Sequence, residues 1–354
     1  MKILHIITSL ELGGAEKLLT ELIPLQKREA QVDLLVLYDK ENFFHLDSRV
    51  SRYNSKKSIK NVFEILRVIK KGDYDIVHAH LLHAQLWTAL ARRFDFTPKR
   101  KYITTEHSTS NSRREKAIFR YFDRFLFSSY CRVVSISAAV KKSLMDWLED
   151  ERVERYPVIE NGIDLKLFYK GKGLDREEIG IAQGETALIM VARLNRAKDH
   201  MTLLRAMKIL PLHYKLILAG EGEKGEEIQR AIEKMGLQQR VRLLGMRTDI
   251  ADLFHTADVA VHSSHFEGFG ITAVEAMASG IPLIASDVPG LGEVVRGGGL
   301  LFAPGDEKEL AEKIISLEDE NYRKMVSERE VEHSKKYSLE KTAQEYLELY
   351  KELL

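Results

Sequence analysis

Short apolar runs recur along this chain, separated by longer amphipathic stretches, and few architectures accept that rhythm. In the first half the runs are Ile3–Thr8, Val32–Tyr38, Ile76–Ala79, Tyr102–Thr105 and Arg132–Ile136. In the second half they are Ala187–Val191, Tyr214–Ala219, Val241–Leu244, Val259–Ser263, Pro282–Ala285 and Leu300–Phe302. Runs this short, apolar at nearly every position, predict strands buried on both faces, and the stretches between them predict crossover helices. The pattern is that of an α/β protein built from βαβ units on parallel sheets. Doubly wound sheets of this kind place ligands at the carboxyl ends of their strands.

At 354 residues the chain has room for two domains of ordinary size. Its single cysteine, Cys131, excludes an intrachain disulfide and fits a reducing compartment. No apolar run approaches the ~18 residues that span a bilayer. The opening MKILHIITSL is too short and too weakly basic for a secretory signal. A cytoplasmic protein is expected. The net charge is +1, but residues 1–160 carry 28 Lys+Arg against 21 Asp+Glu, so the basic charge sits in the first half. That suits an anionic surface or acceptor, or is simply a solvated surface.

Within this frame the stretch SHFEGFGITAVEAMASGIPLIASDVPGLGEVV, Ser264 to Val295, carries the densest chemistry. Gly268 and Gly270 lie between Glu267 and Glu275 and disfavour one helix across the interval. Glu267 therefore belongs to a tight loop, and Glu275 to a helix from near Thr272 to Gly280, which Pro282 cannot prolong. A glycine-rich loop feeding a helix N-terminus directs backbone N–H groups at an anion. Carboxylates beside it suit sugar hydroxyls. The stretch reads as a site for a sugar carrying phosphate.

Other candidates also fall after strands. Ala187–His200, ALIMVARLNRAKDH, runs from a strand through a loop with three cations into a helix. There Arg193 and Lys198 would bracket a diphosphate, the first with a planar fork and the second as a point charge. Gly13-Gly14-Ala15-Glu16 opens a helix, and glycine there permits close approach of a phosphate or sugar. The chain has neither GxGxxG nor GxxxxGK[ST], which disfavours a simple dinucleotide or P-loop reading. His107, after Thr104-Thr105-Glu106, can contact a sugar hydroxyl or a leaving phosphate, or can be a structural histidine. His78 and His80, at i and i+2 at the end of the third strand, share a face; with no third or fourth ligand evident, no metal is expected. Ser112–Arg132 mixes arginines with aromatics and reads either as a membrane-surface helix or as a core-packed helix with a basic outer face. Ser137 caps a helix over Ala138–Leu148. Asp164–Glu185 is polar and reads as a connection, and the segment Leu339–Leu354 is amphipathic and needs an apolar partner.

Taken together, GGAEK, VIENGID, VARLNRAKDH, LILAGEGE and EGFGITAVEAMASGIPLIASDVPG resemble the retaining glycosyltransferases of family 4, in order and over nearly the whole chain. The resemblance implies a GT-B fold: two Rossmann-like domains facing across a cleft, with the last helix crossing back to the first. It places an acceptor-binding domain at residues 1–157 plus about 338–354, and a nucleotide-sugar domain at 158–337. Arg193 and Lys198 would then hold the donor diphosphate. Glu275 would bind the ribose, and Glu267 would lie against the donor sugar. Phe269, Gly270 and Ile271 would present N–H groups. Gly220 and Glu221 to Glu223 would lie beside the nucleotide, Met246 and Arg247 beside the base, and Gly14 near the donor phosphate. His107 would touch the transferred sugar. Catalysis would rest on His107, Glu267, Arg193 and Lys198, with no metal or other cofactor. The short GGAEK form argues against a glucan synthase.

The resemblance implies transfer of a sugar, with retention, from a UDP-sugar to an acceptor hydroxyl on a glycan or lipid carrier, in cell-surface polysaccharide or glycolipid synthesis. Peripheral membrane contact through the basic half and no nucleic-acid partner are expected. Three other readings compete: a UDP-N-acetylglucosamine epimerase of the same fold, an NAD-dependent oxidoreductase, and a non-catalytic nucleotide-sugar binding protein. Donor consumption without an acceptor, NADH binding, and affinity without turnover would mark each in turn.

Overall fold

The apolar runs become the strands of two six-stranded sheets, parallel throughout. The computed structural model describes residues 1–11, 13–38, 50–52, 58–109, 114 and 116–354, which form one unit of 1–162 with 339–354 and another of 163–338. The first sheet contains β1 (Lys2–Ile7), β2 (Gln31–Val36), β3 (Val50–Arg52), β4 (Ile76–His80), β5 (Lys101–Glu106) and β6 (Arg132–Ser135), in the order β3-β2-β1-β4-β5-β6. The second contains β7 (Thr186–Val191), β8 (Tyr214–Ala219), β9 (Val241–Gly245), β10 (Val259–His262), β11 (Leu283–Ser286) and β12 (Leu300–Phe302), in the order β12-β11-β10-β7-β8-β9. Both are the doubly wound order, in which winding reverses beside the first strand of the sheet. The reversal lies between β1 and β4 in one unit and between β7 and β10 in the other.

Burial on both faces explains why the strands read as apolar runs. Leu4 and Ile6 of β1 pack with Ile65, Ile69 and Ala84, whereas Ile3 and Ile7 pack with Leu18, Leu22 and Ile23. The last helix, Leu339–Leu353, finds its apolar partner on this second face: Leu339, Ala343, Tyr346, Leu347 and Tyr350 join Ile3, Ile76 and Ile103. Thr342 Oγ1 donates to the Glu160 carbonyl (2.9 Å), and Lys351 pairs with Glu29 (2.8 Å). In the second unit Leu188, Met190, Leu216 and Leu218 of the strands pack with Leu203, Met207, Leu310 and Ile314 of the flanking helices.

Three expectations need correction. β3 has no counterpart among the predicted strands, because Val50–Arg52 is a three-residue edge strand that, among the described residues, pairs with β2 alone. His78 and His80 therefore end the fourth strand, not the third. Asp164–Glu185 is not a bare connection. Asp164 caps the helix Leu165–Tyr169, Phe168, Ile179 and Ile181 are buried, and Arg176 pairs with Asp258 (2.9 Å). Its few apolar residues lack periodicity because each packs from a loop or single turn. The chain leaves the first unit inside Val158–Asp164.

Candidate functional site

The reversal point of the second sheet gathers the side chains with the most chemistry. Glu267 follows β10, and Lys198 lies in the loop after β7. The two loops are laced by backbone hydrogen bonds: Asp199 N–H donates to the Ser263 carbonyl (3.1 Å) and His265 N–H to that of Ala197 (2.9 Å). Asp199 also caps the helix His200–Ile209 by accepting from Thr202 N–H. This ladder brings Lys198 to Glu267, and the two form a direct, largely buried ion pair. Burial opposes the charge on Glu267, but the Lys198 ammonium and His262 hold its carboxyl well below the usual carboxylate range.

His262, the last residue of β10, completes the cluster. Lys198 Nζ donates to His262 Nε2 (2.8 Å), the Glu267 carboxylate lies 3.4 Å from the same nitrogen, and His262 Nδ1 is 3.0 Å from Thr272 Oγ1. Burial, reinforced by the nearby ammonium, lowers the histidine's pKa and keeps the ring neutral. Sequence reading missed His262 because it counts as the end of an apolar strand. Its only signal is a histidine at a strand's carboxyl end, five residues before Glu267.

The helix expected after the glycine loop runs from Ile271 to Ala278, and no side chain caps its N-terminus at Gly270. Phe269 is not part of an open surface: it is buried edge-on against Tyr337 at 5.5 Å. Glu275 is buried on the helix, about one turn past its first residue. A Cβ on Gly290 (φ +85°) would lie 2.4 Å from the Glu267 carbonyl, so glycine there lets the β11–β12 connection close over the Glu267 loop.

A neighbouring group of loops follows β7, β8 and β9. Leu194 N–H donates to the Glu221 carbonyl (3.0 Å), and Gly220 N–H to that of Gly245 (2.8 Å). Gly220 has φ +139°, and a Cβ there would meet the Ala192 carbonyl at 2.0 Å. The Glu221 carboxylate accepts from Met246 N–H (3.3 Å). These loops border an open cavity of about 510 Å³ lined by Leu194, Gly220, Glu221, Leu243 and Gly245, with Glu226, Gln229 and Arg230 from the next helix. Met246 is exposed, and Arg247 is engaged with Asp249 (2.8 Å). Arg193 is exposed, with no side-chain partner among the described residues. Arg193 and Lys198 are thus in unlike settings, one unpaired in solvent and one held in a buried cluster.

In the first unit Gly14 begins the helix Gly14–Gln26 and is exposed. His107 follows β5; its Nε2 is buried and without a hydrogen-bond partner among the described residues, and burial lowers its pKa to about 4. Beside it, Glu106 pairs with Arg114 (3.3 Å). His78 and His80 gain a third imidazole that the sequence did not suggest, His5 of β1. Hydrogen bonds engage five of the trio's six ring nitrogens: His5 Nδ1 lies 3.0 Å from His80 Nε2 and His5 Nε2 2.9 Å from Gln26 Oε1. His78 Nδ1 lies 2.6 Å from the Tyr350 hydroxyl and His78 Nε2 2.8 Å from Thr105 Oγ1. Part of Ser112–Arg132 (residues 112, 113 and 115) lies outside the described residues. The described part includes the helix Ile118–Phe127, which buries Asp123, Leu126 and Phe127 and exposes Ile118 and Tyr121.

Each unit is thus a doubly wound, Rossmann-like domain, and the second carries a paired lysine and carboxylate at its reversal point beside an uncapped helix N-terminus. Residues 12–167 match the family model described as Glycosyltransferase Family 4, and residues 172–333 the one described as Glycosyl transferases group 1. EpsF of Bacillus subtilis (strain 168), which bears a glycosyltransferase name, is 30% identical over 328 residues, 83% of each chain. The chain belongs to glycosyltransferase family 4. An alpha-1,4-N-acetyl-D-galactosaminyltransferase of Campylobacter jejuni, named for a GalNAc-containing PP-undecaprenol, is 24% identical over 376 residues, 100% of this chain and 99% of that one. Among solved structures, Anabaena Alr3699/HepE in complex with UDP-glucose superimposes with a TM-score of 0.88 at 24% identity, over 99% of this chain and 100% of that one, and so shares the fold.

Proposed function

We propose that this glycosyltransferase moves a sugar from a UDP-sugar to an acceptor hydroxyl with retention at the anomeric carbon, in building a cell-surface polysaccharide or glycolipid. One observation carries the reading: a lysine and a glutamate paired at the reversal point of the second sheet and linked through His262 to Thr272 at an uncapped helix N-terminus. The difficult part of the reaction is the negative charge that grows on the leaving diphosphate. Lys198, Arg193 and the N–H groups opening the helix Ile271–Ala278 supply compensating charge. Glu267 orients the sugar and stabilises positive character at its ring. The C1–O bond to the β-phosphate breaks, a C1–O bond to the acceptor forms on the same face, and the leaving phosphate oxygen takes the acceptor's proton. Glu275 holds the ribose, and the Glu221 and Met246 loops lie beside the nucleotide. In this reading the protein needs no metal, so EDTA leaves turnover unchanged.

The UDP complexes of the Anabaena neighbour support a UDP donor, and the undecaprenol-linked substrate in the Campylobacter relative's name supports a lipid-linked acceptor. Peripheral membrane contact fits the helix Ile118–Phe127, where exposed Ile118 and Tyr121 accompany Arg120 and Arg124. No helix among the described residues is long and apolar enough to cross a membrane. A thermal-shift screen across UDP-, GDP- and ADP-sugars, followed by release assays on the best donor, tests the proposal. Stabilisation by a UDP-sugar and release of UDP are expected. Stabilisation by no nucleotide-sugar at millimolar concentration would overturn it, and conversion of the free donor to its epimer would favour the epimerase.

A further inference from the structure

His262 touches the lysine, the glutamate and the helix N-terminus at once, and its hydrogen-bond pattern has a directional consequence. An ammonium can only donate, so the 2.8 Å contact makes His262 Nε2 an acceptor from Lys198. A neutral ring that accepts at Nε2 carries its proton on Nδ1. Nδ1–H then donates to Thr272 Oγ1 (3.0 Å). The competing arrangement, Nε2–H donating to Glu267, would use the longer 3.4 Å contact and leave the ammonium facing an N–H. Once Thr272 Oγ1 accepts from the ring, its own hydroxyl hydrogen is free to donate elsewhere. Thr272 is the second residue of a helix whose N-terminus has no side-chain cap.

We infer that His262 is a positioning residue for the terminal phosphate of the donor's diphosphate: its Nε2 holds the Lys198 ammonium in place, and its Nδ1–H leaves the Thr272 hydroxyl free to donate a further hydrogen bond to that β-phosphate. The inference rests on the donor reading above. Glu267 alone could hold Lys198, but it would cancel the lysine's charge. The imidazole is a neutral second acceptor, so Lys198 can leave the carboxylate for a phosphate without losing its anchor. The ring is 3% exposed and closed in by β10, the Lys198 loop and the helix, so it has no room to reorient. His262 touches no phosphate itself, and Thr272 does the binding.

Calorimetric titration of the full-length protein with UDP and with UMP separates this role from a merely structural one. The wild type should bind UDP more tightly than UMP. His262→Leu and Thr272→Val should each weaken UDP binding about tenfold, the effect of one hydrogen bond to a charged group, while UMP affinity stays unchanged. His262→Gln, whose amide oxygen can still accept from Lys198, should recover part of the loss; a purely structural role would weaken UDP and UMP together. Thr272→Val, a near-isosteric change at a half-buried position, decides the matter if His262→Leu fails to fold. A wild type without preference for UDP over UMP would overturn the donor reading and this inference together. A wild-type preference that survives intact in Thr272→Val and His262→Gln, and in any folded His262→Leu, would overturn this inference alone.

Discussion

Replacing Lys198 by methionine keeps the length of the side chain and removes its charge, and the structure says what should follow. Lys198 and Glu267 are 13% and 21% exposed, so the pair is mostly shielded from water. Two unit charges about 4 Å apart attract by about 4 kcal/mol at an effective dielectric of 20. Breaking a fully buried pair costs about 3–5 kcal/mol, because a desolvated charge is left behind. Here some water reaches the carboxylate and Gly268 N–H still donates to it (3.2 Å), so a loss of about 2 kcal/mol is expected. For a unit of this size that corresponds to about 4–8 °C in melting temperature. The pH dependence gives a sharper signature. In the wild type Glu267 stays ionised because Lys198 holds its pKa down, so its stabilisation is lost only as pH falls through that depressed value. In the variant burial is opposed only by His262 and the Gly268 N–H, so the pKa rises and the carboxyl takes up a proton more readily. The stability gap between the two proteins should therefore narrow from pH 7.5 to pH 5. Urea unfolding at both pH values measures the gap, and Lys198→Met with Glu267→Gln should recover most of the loss. A gap that is absent, or that does not change with pH, would refute the argument. Donor turnover should fall roughly 10²–10³-fold.

Three further outcomes are expected. Arg193→Ala should lower donor turnover by roughly 10²-fold while leaving the melting temperature within about 1 °C, since an exposed side chain away from packing moves stability by less than about 0.5 kcal/mol. His5, His78 and His80 are buried and neutral, with His5 depressed to about 4. The unfolded chain binds protons below about pH 6.5 that the folded chain refuses, so these groups should cost stability as pH falls from there towards 4, at up to about 1.4 kcal/mol per pH unit each. Unfolding of His5→Gln at several pH values should show a slope shallower by about that amount. Gly290→Ala should lose donor binding in titration calorimetry with UDP, because its Cβ would push the Glu267 carbonyl out of place, and wild-type affinity in this variant would contradict the packing described.

The order of elements was legible along the chain because both faces of each sheet are covered, which makes stretches such as Leu34–Val36 and Leu188–Met190 apolar throughout. Local chemistry also spoke for itself. Ser137 accepts from Val140 N–H at its helix start, and Gly270 and Pro282 bracket the helix that carries Glu275. Short-range signals could not find β3, a three-residue strand that, among the described residues, pairs with one neighbour, nor the order in Asp164–Glu185, whose buried residues pack one at a time.

From its sequence alone, this chain determined its class of fold, its helix boundaries around the glycine loop and the separate placement of Glu267 and Glu275, because these follow from periodicity and backbone preference over a few residues. Tertiary structure decided which groups meet. Lys198 reaches His262 and Glu267 across 64 and 69 positions, and His5 joins His78 and His80 across more than seventy. Parallel pairing sets β7 beside β10, and β1 beside β4, so loops and strand ends far apart in sequence come together at the carboxyl ends of the sheets. No local propensity encodes that register; only the packing of both sheet faces does.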